Sequence, residues 1–224
     1  MISVVIPALN EAALAGKRLK DLQCLRGRGH ELLLVDGGSS DATRRIAKPL
    51  VDQLLDSPPG RALQLNAGAA AARGDILWFL HLDSVVPPRA DSLVEEALAD
   101  GAVWGRFDVR LSGGAIMFRV IERMMNLRSS VTGICTGDQG VFVRRDLFES
   151  VGGFPEIALM EDIAISKRLK RIARPCCLGH PIVTSSRRWE RDGIWRTVLA
   201  MWFLRSAYQL GADPARLAEI YYPR

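Results

Sequence analysis

Ile76-Leu77-Trp78-Phe79-Leu80-His81-Leu82 is a buried-strand pattern that stops at a carboxylate, Asp83, with Ser84 and the turn-forming Pro87-Pro88 behind it. An apolar run of this length suits a strand covered on both faces, as in an α/β sheet. Ligands bind beyond the carboxyl ends of such strands, so Asp83 stands where chemistry is expected. His81, two residues earlier, points the same way if the strand continues that far. An exposed carboxylate there suits a hard divalent cation holding a phosphate. Asp36 ends a second apolar run, and Glu161-Asp162 opens a helical pattern. Singly, each acid reads equally well as a cap or turn residue, and Asp41 reads as a cap. Jointly, Asp36 and Asp83 end separate strands on one edge. One carboxylate can there accept a hydrogen bond from a base or ribose hydroxyl while another holds a metal that neutralises a diphosphate.

Strands and helices in alternation must position these residues. Strands are expected at Ile2 to Ile6, Glu31 to Val35, Val51 to Leu55 (weak) and Ile76 to Leu80. Helices are expected at about Glu11 to Leu25, after a cap at Ser40 or Asp41, and at Leu63 to Ala72. The alternation predicts a largely parallel sheet with helices on both faces. The second half changes character. A helix from about Ala90 to Leu98 precedes a strand at Val103 to Val109. Ile116, Met117, Val120, Ile121, Met124 and Met125 then form an apolar stripe at helical spacing, for which core packing or a dimer interface is the default reading. A short strand at Val141 to Val143 and a helix from Glu161 follow. Thr197 to Leu204 is apolar but far shorter than the roughly 20 residues a bilayer span needs. It reads as a core helix or one lying on a membrane.

Composition narrows the classes. Among 224 residues, 48% are hydrophobic and 25% charged, ordinary for a globular protein with an ample core. The net charge of +5 and pI near 9.3 favour anionic ligands or an anionic membrane surface. Basic and aromatic residues do not interleave, which argues against nucleic acid as a partner. Cys24, Cys135, Cys176 and Cys177 have no metal-ligand spacing and predict reduced thiols in a cytoplasmic protein. The opening on Ile2 to Ile6, with no basic n-region, predicts no signal peptide. There is no GxGxxG after the first strand and no GxxxxGK[ST], so dinucleotide and P-loop readings lack support.

Several motifs together carry a resemblance. Ile2-Ser3-Val4-Val5-Ile6-Pro7-Ala8-Leu9-Asn10-Glu11, Val35-Asp36-Gly37-Gly38-Ser39-Ser40-Asp41, Asn66-Ala67-Gly68, Gly74-Asp75 and His81-Leu82-Asp83 occur in that order. Gly137-Asp138-Gln139-Gly140, Gly152-Gly153-Phe154 and Glu161-Asp162 follow. The pattern closely resembles family 2 glycosyltransferases over about residues 1 to 190, in particular a short, stand-alone bacterial subgroup. The resemblance implies a GT-A fold, a mixed, mostly parallel sheet flanked by helices. It implies one domain over 1–224, with a nucleotide-sugar-binding half at 1–95 and an acceptor-binding half at 96–224. Pro7, Asn10 and Glu11 would line the nucleotide pocket, with Asp36 at the base. Asp83 would hold Mn²⁺ or Mg²⁺ bridging the diphosphate, and Asp162 would be the catalytic base. Asn66, Asp138 and Glu161 belong to the matched motifs and are carried as substrate-binding positions.

Two departures matter. His81 replaces the first carboxylate of the DxD motif; it can serve as a second metal ligand or as a hydrogen-bonded neighbour. Leu65 replaces the family's arginine, and Arg61, one helical turn earlier, can supply that charge to the diphosphate. Ser185-Ser186-Arg187-Arg188-Trp189 loosely resembles the QxxRW signature of polymerising relatives, which implies Arg188 at the diphosphate and Trp189 at the acceptor sugar. His180 is read as ordinary loop structure. Asp162 also has a physical case: a partly buried carboxylate near a helix start can take a proton from an acceptor hydroxyl.

The expected activity is metal-dependent, inverting transfer of a sugar from a UDP- or GDP-sugar to an acceptor hydroxyl. The acceptor is unassigned, with a lipid-linked one among the options. Peripheral contact with the inner face of the membrane is the minority reading of the apolar stripe, and a homodimer is a further option. The competing readings are a sugar-1-phosphate nucleotidyltransferase, disfavoured because Pro7 to Glu11 is not a glycine-rich basic loop, and a nucleotide-sugar sensor without turnover.

Overall fold

β1 (Ile2–Ala8) and β2 (Glu31–Asp36) are buried almost throughout, because helices cover both faces of their sheet. The computed structural model describes residues 1–222. The remaining strands are β3 (Gln53–Asp56), β4 (Ile76–Phe79), β5 (Trp104–Leu111), β6 (Phe142–Arg144) and β7 (Cys176–Thr184). They form one seven-stranded sheet in the order β3-β2-β1-β4-β6-β5-β7. β6 alone runs antiparallel to its neighbours. In register, Val4 lies between Leu32 and Trp78.

Alternation along each strand divides the core in two. Ile2, Val4, Ile6, Leu32, Leu34, Trp78 and Phe142 face α1 (Ala12–Asp21) and α5 (Ala90–Ala99). Val5, Leu33, Val35, Leu77 and Phe79 face α4 (Arg61–Ala71), α7 (Arg145–Ser150) and α8 (Glu161–Leu169). Each fully buried aliphatic side chain contributes roughly 1.5–3 kcal/mol. Gly68 lets α4 approach the sheet closely, since a Cβ there would sit 2.3 Å from Val5 Cγ1.

Several expected boundaries shift. The helix expected from Glu11 to Leu25 divides at Leu22 into α1 and α2 (Gln23–Gly27). The strand at Ile76 ends at Phe79, with one more rung from the Leu80 N–H to the Val5 carbonyl, so His81 to Asp83 leave the ladder before the carboxylate. After Asp41 comes the short α3 (Thr43–Ala47), and Asp41 Oδ1 accepts from the Thr43 N–H at 2.9 Å. β7 was not expected, because Gly179, His180 and Pro181 interrupt its pattern. The pairing with β5 slips between Phe107 and Asp108, opposite Leu178 and Pro181, so Gly179 and His180 bulge out.

The apolar stripe lies on α6 (Ile116–Thr132), and core packing accounts for only part of it. Ile121 is buried, whereas Ile116, Val120 and Met124 are exposed. Past the short α9 (Arg187–Asp192), α10 (Ile194–Gln209) packs beside α6 through Ile194 and Val198 against Phe118 and Ile121. Its own Trp195, Leu199, Trp202 and Phe203 remain exposed. α11 (Pro214–Tyr221) completes the described chain. Among the described residues no helix is long and apolar enough to cross a membrane.

Candidate functional site

A cleft of about 580 Å³ opens at the carboxyl ends of β1, β4 and β7. It is where an open α/β sheet binds ligands. Of the residues expected from sequence, Pro7, Glu11, Arg61, His81, Asp83, Asp138, Glu161, Asp162, Arg188 and Trp189 line it. Asn10, Asp36 and Asn66 do not.

Pro7 and Glu11 flank the chain's exit from β1, and the Glu11 N–H donates to Thr43 Oγ1 at 2.8 Å. Burial first, then the charge of Asp83, pushes the Glu11 carboxyl above its ordinary range, with Arg187 opposing. Glu11 and Asp83 thus face each other's field. That environment favours a cation.

Asn10 adopts a left-handed φ of 55° and ties the Asp36 loop to the end of β1. Its N–H donates to Ser39 Oγ at 2.8 Å, and its Oδ1 accepts from the Ser40 N–H at 2.9 Å. Asp36 Oδ2 accepts from the N–H groups of Gly38 and Ser39, at 3.1 and 2.9 Å. Its Oδ1 is buried without a partner among the described residues. An orphaned buried acceptor costs about 1–3 kcal/mol, and the Arg44 guanidinium 3.4 Å from Oδ2 offsets part of it.

Asn66 serves the fold. Its side chain donates to the Phe154 carbonyl and accepts from the Phe154 N–H, both at 2.9 Å, which locks α4 to the turn at 152–154. No polar atom of its amide group is left free of this reciprocal pair. Asn66, expected as a binding residue, here holds that turn and does not line the cleft.

The side chain of His81 meets Asp138. Its Nδ1 lies 3.2 Å from Asp138 Oδ1. Its Nε2 lies against Gly137, where a Cβ would sit only 2.5 Å away. His81 in this arrangement is thus a partner of Asp138 through Nδ1. Asp138 is held below its ordinary carboxylate range: burial opposes this, but His81 and Arg61 outweigh it. His180 is exposed on the bulge of β7, outside the cleft.

Met160, at a left-handed φ of 72°, turns the chain so that α8 begins inside the cleft. Asp162 Oδ1 accepts from the Ile163 N–H at 2.7 Å, and Oδ2 from the Gly137 N–H at 3.1 Å. The carboxylate is thereby oriented by two elements at once. Glu161 is buried, and its carboxyl is pushed up by burial and then by Asp162, with Arg61 pulling it back. Arg61 Nη1 lies 3.8 Å from Glu161 Oε1 and 42% of its side chain remains open to solvent. Burial works against the Arg61 charge, but Glu161 and its acidic neighbours raise its pKa further.

Arg188 has a partner that sequence did not suggest. Its guanidinium lies 3.7 Å from the centroid of the Tyr221 ring, and Nη2 donates to the Tyr221 carbonyl at 3.1 Å. Burial pushes the Tyr221 hydroxyl up to about 12. Trp189 packs against Leu111, Phe118 and Ile121 while lining the cleft. Sequence reasoning missed Tyr221, Arg205 and Gln64, which also line it. For Gln64 a signal existed, a polar residue on the buried side of a helix; its amide nitrogen donates to the carbonyls of Ala8 and Val35. Tyr221 and Arg205 carried none.

Among the described residues no group of three His, Cys, Asp or Glu is assembled to hold a metal by itself. The donor chemistry nevertheless fits Mg²⁺ or Mn²⁺. Such ions commonly take one or two carboxylates and complete their shell with substrate phosphate oxygens and water. Asp83, facing Glu11 across the cleft, offers that set.

Three comparisons bear on this chain. The model of the family described as glycosyl transferase family 2 matches residues 3–151. The beta-monoglucosyldiacylglycerol synthase of Synechocystis sp. is 27% identical over 240 residues, covering 94% of this chain and 47% of its own. The chain thus spans about half the length of that relative. In fold it is similar to the mannosyltransferase PcManGT from Pyrobaculum calidifontis, solved with GDP-Man and Mn²⁺. The TM-score is 0.67 at 23% identity, over 99% of this chain and 70% of that one. It is also similar to residues 1–349 of S. aureus TarS in complex with UDP, with a TM-score of 0.68 at 15% identity, over 82% and 60%. The fold is that of the GT-A glycosyltransferases.

Proposed function

Since the chain belongs to glycosyl transferase family 2, we propose that it transfers a sugar, with inversion, from a nucleoside-diphosphate sugar to an acceptor hydroxyl. The observation that carries this reading is the convergence of Asp83, Arg61 and the Glu161-Asp162 pair on one cleft. UDP and GDP-Man in the structural neighbours support a UDP- or GDP-sugar as donor.

In this reading the nucleotide enters beside Pro7 and Glu11, and Asp36, which holds the N–H groups of Gly38 and Ser39, orders the loop next to the base. Asn10 positions the loop that carries Asp36. Asp83 would hold the divalent metal, which when bound offsets charge on the diphosphate. Arg61 binds the same diphosphate, and Glu161 keeps its guanidinium aimed into the cleft. Asp162 takes the proton from the acceptor hydroxyl as that oxygen bonds to the anomeric carbon. The anomeric carbon–oxygen bond to the diphosphate breaks, and its electron pair leaves with the diphosphate. The two N–H groups on Asp162 fix its lone pairs before the acceptor arrives, which is the geometric part of general-base catalysis. His81 orients Asp138 at the cleft wall. Arg188, stacked on Tyr221, and Trp189 form the acceptor side.

The acceptor is read as lipid-linked and the protein as a peripheral binder of an anionic membrane surface. The exposed apolar residues of α6 and α10, with the exposed Arg123 and Arg196 on the same helices, support this by charge complementarity. A relative named for glucosyldiacylglycerol synthesis is consistent with it.

The test is Asp162→Asn assayed with the donor screen. Transfer should collapse while donor binding, read by thermal shift, persists; unchanged transfer would remove Asp162 from the mechanism. Sedimentation with phosphatidylglycerol vesicles tests the membrane reading. A concentration-dependent dimer that leaves the vesicles unbound would assign the apolar face to a second copy instead.

A further inference from the structure

One charged feature of the cleft remains unused by this mechanism. Arg205, on α10, lines the cleft, and Arg128, on α6, lies close enough for the two positive charges to act on each other. Arg128 also feels the charge of Asp162, and Arg205 that of Asp138, so the pair borders the expected point of transfer. Neither guanidinium forms an ion pair among the described residues. Arg128 goes further: its Nε and Nη2 are buried and find no hydrogen-bond partner there. Burial, then the neighbouring Arg205, pulls the Arg128 guanidinium down to about 10. Two neighbouring cations, one of them with buried, unanswered N–H groups, are an unfavourable arrangement unless something negative completes it. Asp162 acts on Arg128 through its charge without forming an ion pair with it.

The placement of the pair suggests what the anion is attached to. Arg128 stands in α6 beside Leu127, with Met124 and Val131 a turn to either side, all three more than half exposed. Arg205 stands in α10 close after Trp202 and Phe203, which are exposed to a similar degree. The helices pack against each other through Phe118, Ile121, Ile194 and Val198. The same two elements thus carry an unpaired cationic pair by the cleft and unpartnered apolar surface elsewhere.

We propose that Arg128 and Arg205 bind a phosphoryl group of the acceptor, an amphiphilic phosphate whose hydrocarbon chain lies along the exposed apolar residues of α6 and α10. This rests on the transferase reading and names the acceptor class for it. Planar guanidinium groups suit phosphate, giving paired, charge-assisted hydrogen bonds. Bound there, the phosphoryl group would hold the acceptor beside Asp162.

The experiment is calorimetric binding to the full chain of three probes below micellar concentration: dodecyl phosphate, dodecanol and inorganic phosphate. Dodecyl phosphate is expected to bind at least about tenfold more tightly than dodecanol, as one charge-assisted hydrogen bond implies. Arg205→Gln and Arg128→Gln should each erase that preference, and Arg205→Lys should restore part of it. Thermal melts of each variant check that it folds. Equal binding of dodecyl phosphate and dodecanol, or a preference unchanged in folded Arg205→Gln, overturns the proposal. Inorganic phosphate binding as tightly as dodecyl phosphate overturns the lipid half, leaving a site for water-borne phosphates. UDP- and GDP-sugar binding is measured in the same samples. Donor binding without phosphate preference defeats this inference alone, whereas loss of all donor binding defeats the transferase reading.

Discussion

The two halves of the sheet treat their apolar residues in opposite ways. In the β1–β4 half, Val4, Val5, Leu33 and Leu34 are wholly buried, and the adjoining α1 and α4 have little apolar surface left over. In the other half, α6 and α10 leave Ile116 84% exposed and Trp195 66% exposed. A half that consumes its apolar residues internally can present a rigid, preformed wall to a ligand. A half that leaves them outside has surface suited to something beyond the chain. The proposed division of labour follows: a nucleotide on the finished wall, an amphiphilic acceptor or membrane against the unfinished one.

The strongest way to break the comparison is at the seam. Asp162→Asn should lower the transfer rate by about 10²- to 10⁴-fold with donor binding unchanged, the range of a general base. Loss of donor binding instead would move Asp162 to the nucleotide wall. In the finished half, Leu33→Ala should cost about 2–5 kcal/mol of stability, measured by denaturant unfolding, because both the transfer and cavity penalties apply. Asp83→Asn should abolish the Mn²⁺-dependent part of donor stabilisation, which for the native chain amounts to roughly 2.7 kcal/mol at 100 times Kd. Trp202→Ala is the contrasting change. Unfolding should shift by no more than about 0.5 kcal/mol, as at other surface sites, while binding to phosphatidylglycerol vesicles weakens.

The smallest effect concerns pH. Burial and Asp162 raise the Glu161 carboxyl in the folded state, so the folded protein holds that proton longer than the unfolded one. This stability is fully present below the ordinary carboxylate range and is lost as pH rises through the raised value. Glu161→Gln should flatten that loss in unfolding measured across the window. An unchanged slope would assign the pH response to other groups, of which Glu11, raised for the same reasons, is the first to test.

Most of the β1–β4 half was legible because local signals there agree with the fold. Continuous apolar runs, and Asp36 and Asp83 near strand ends, each followed from pattern alone; the cap expected at Ser40 or Asp41 falls at Ala42, with Asp41 holding the Thr43 N–H just ahead of the helix. The other half was less so. β7 hides behind Gly179-His180-Pro181 because a bulge absorbs them, and bulges leave no periodicity. The stripe on α6 pointed to packing, yet helical spacing says only that apolar residues share a face, not that the face is covered. His81 was read by its spacing from Asp83, but β4 ends at Phe79 and the two-residue alternation ends with it. Asn66 was read by its motif, whereas its partner, Phe154, lies 88 residues away.

The sequence by itself determined the sheet's buried strands, the family and the acids brought to one edge, because each depends on local pattern or on motifs in order. Only the tertiary structure decided which of those acids meet. It put Glu161 against Arg61, His81 on Asp138 and Arg188 on Tyr221, and it left Arg128 and Arg205 without a counter-charge. Those residues lie from 33 to 100 positions apart, and chain closure over such distances is fixed by how whole elements pack. No short window of sequence carries that information.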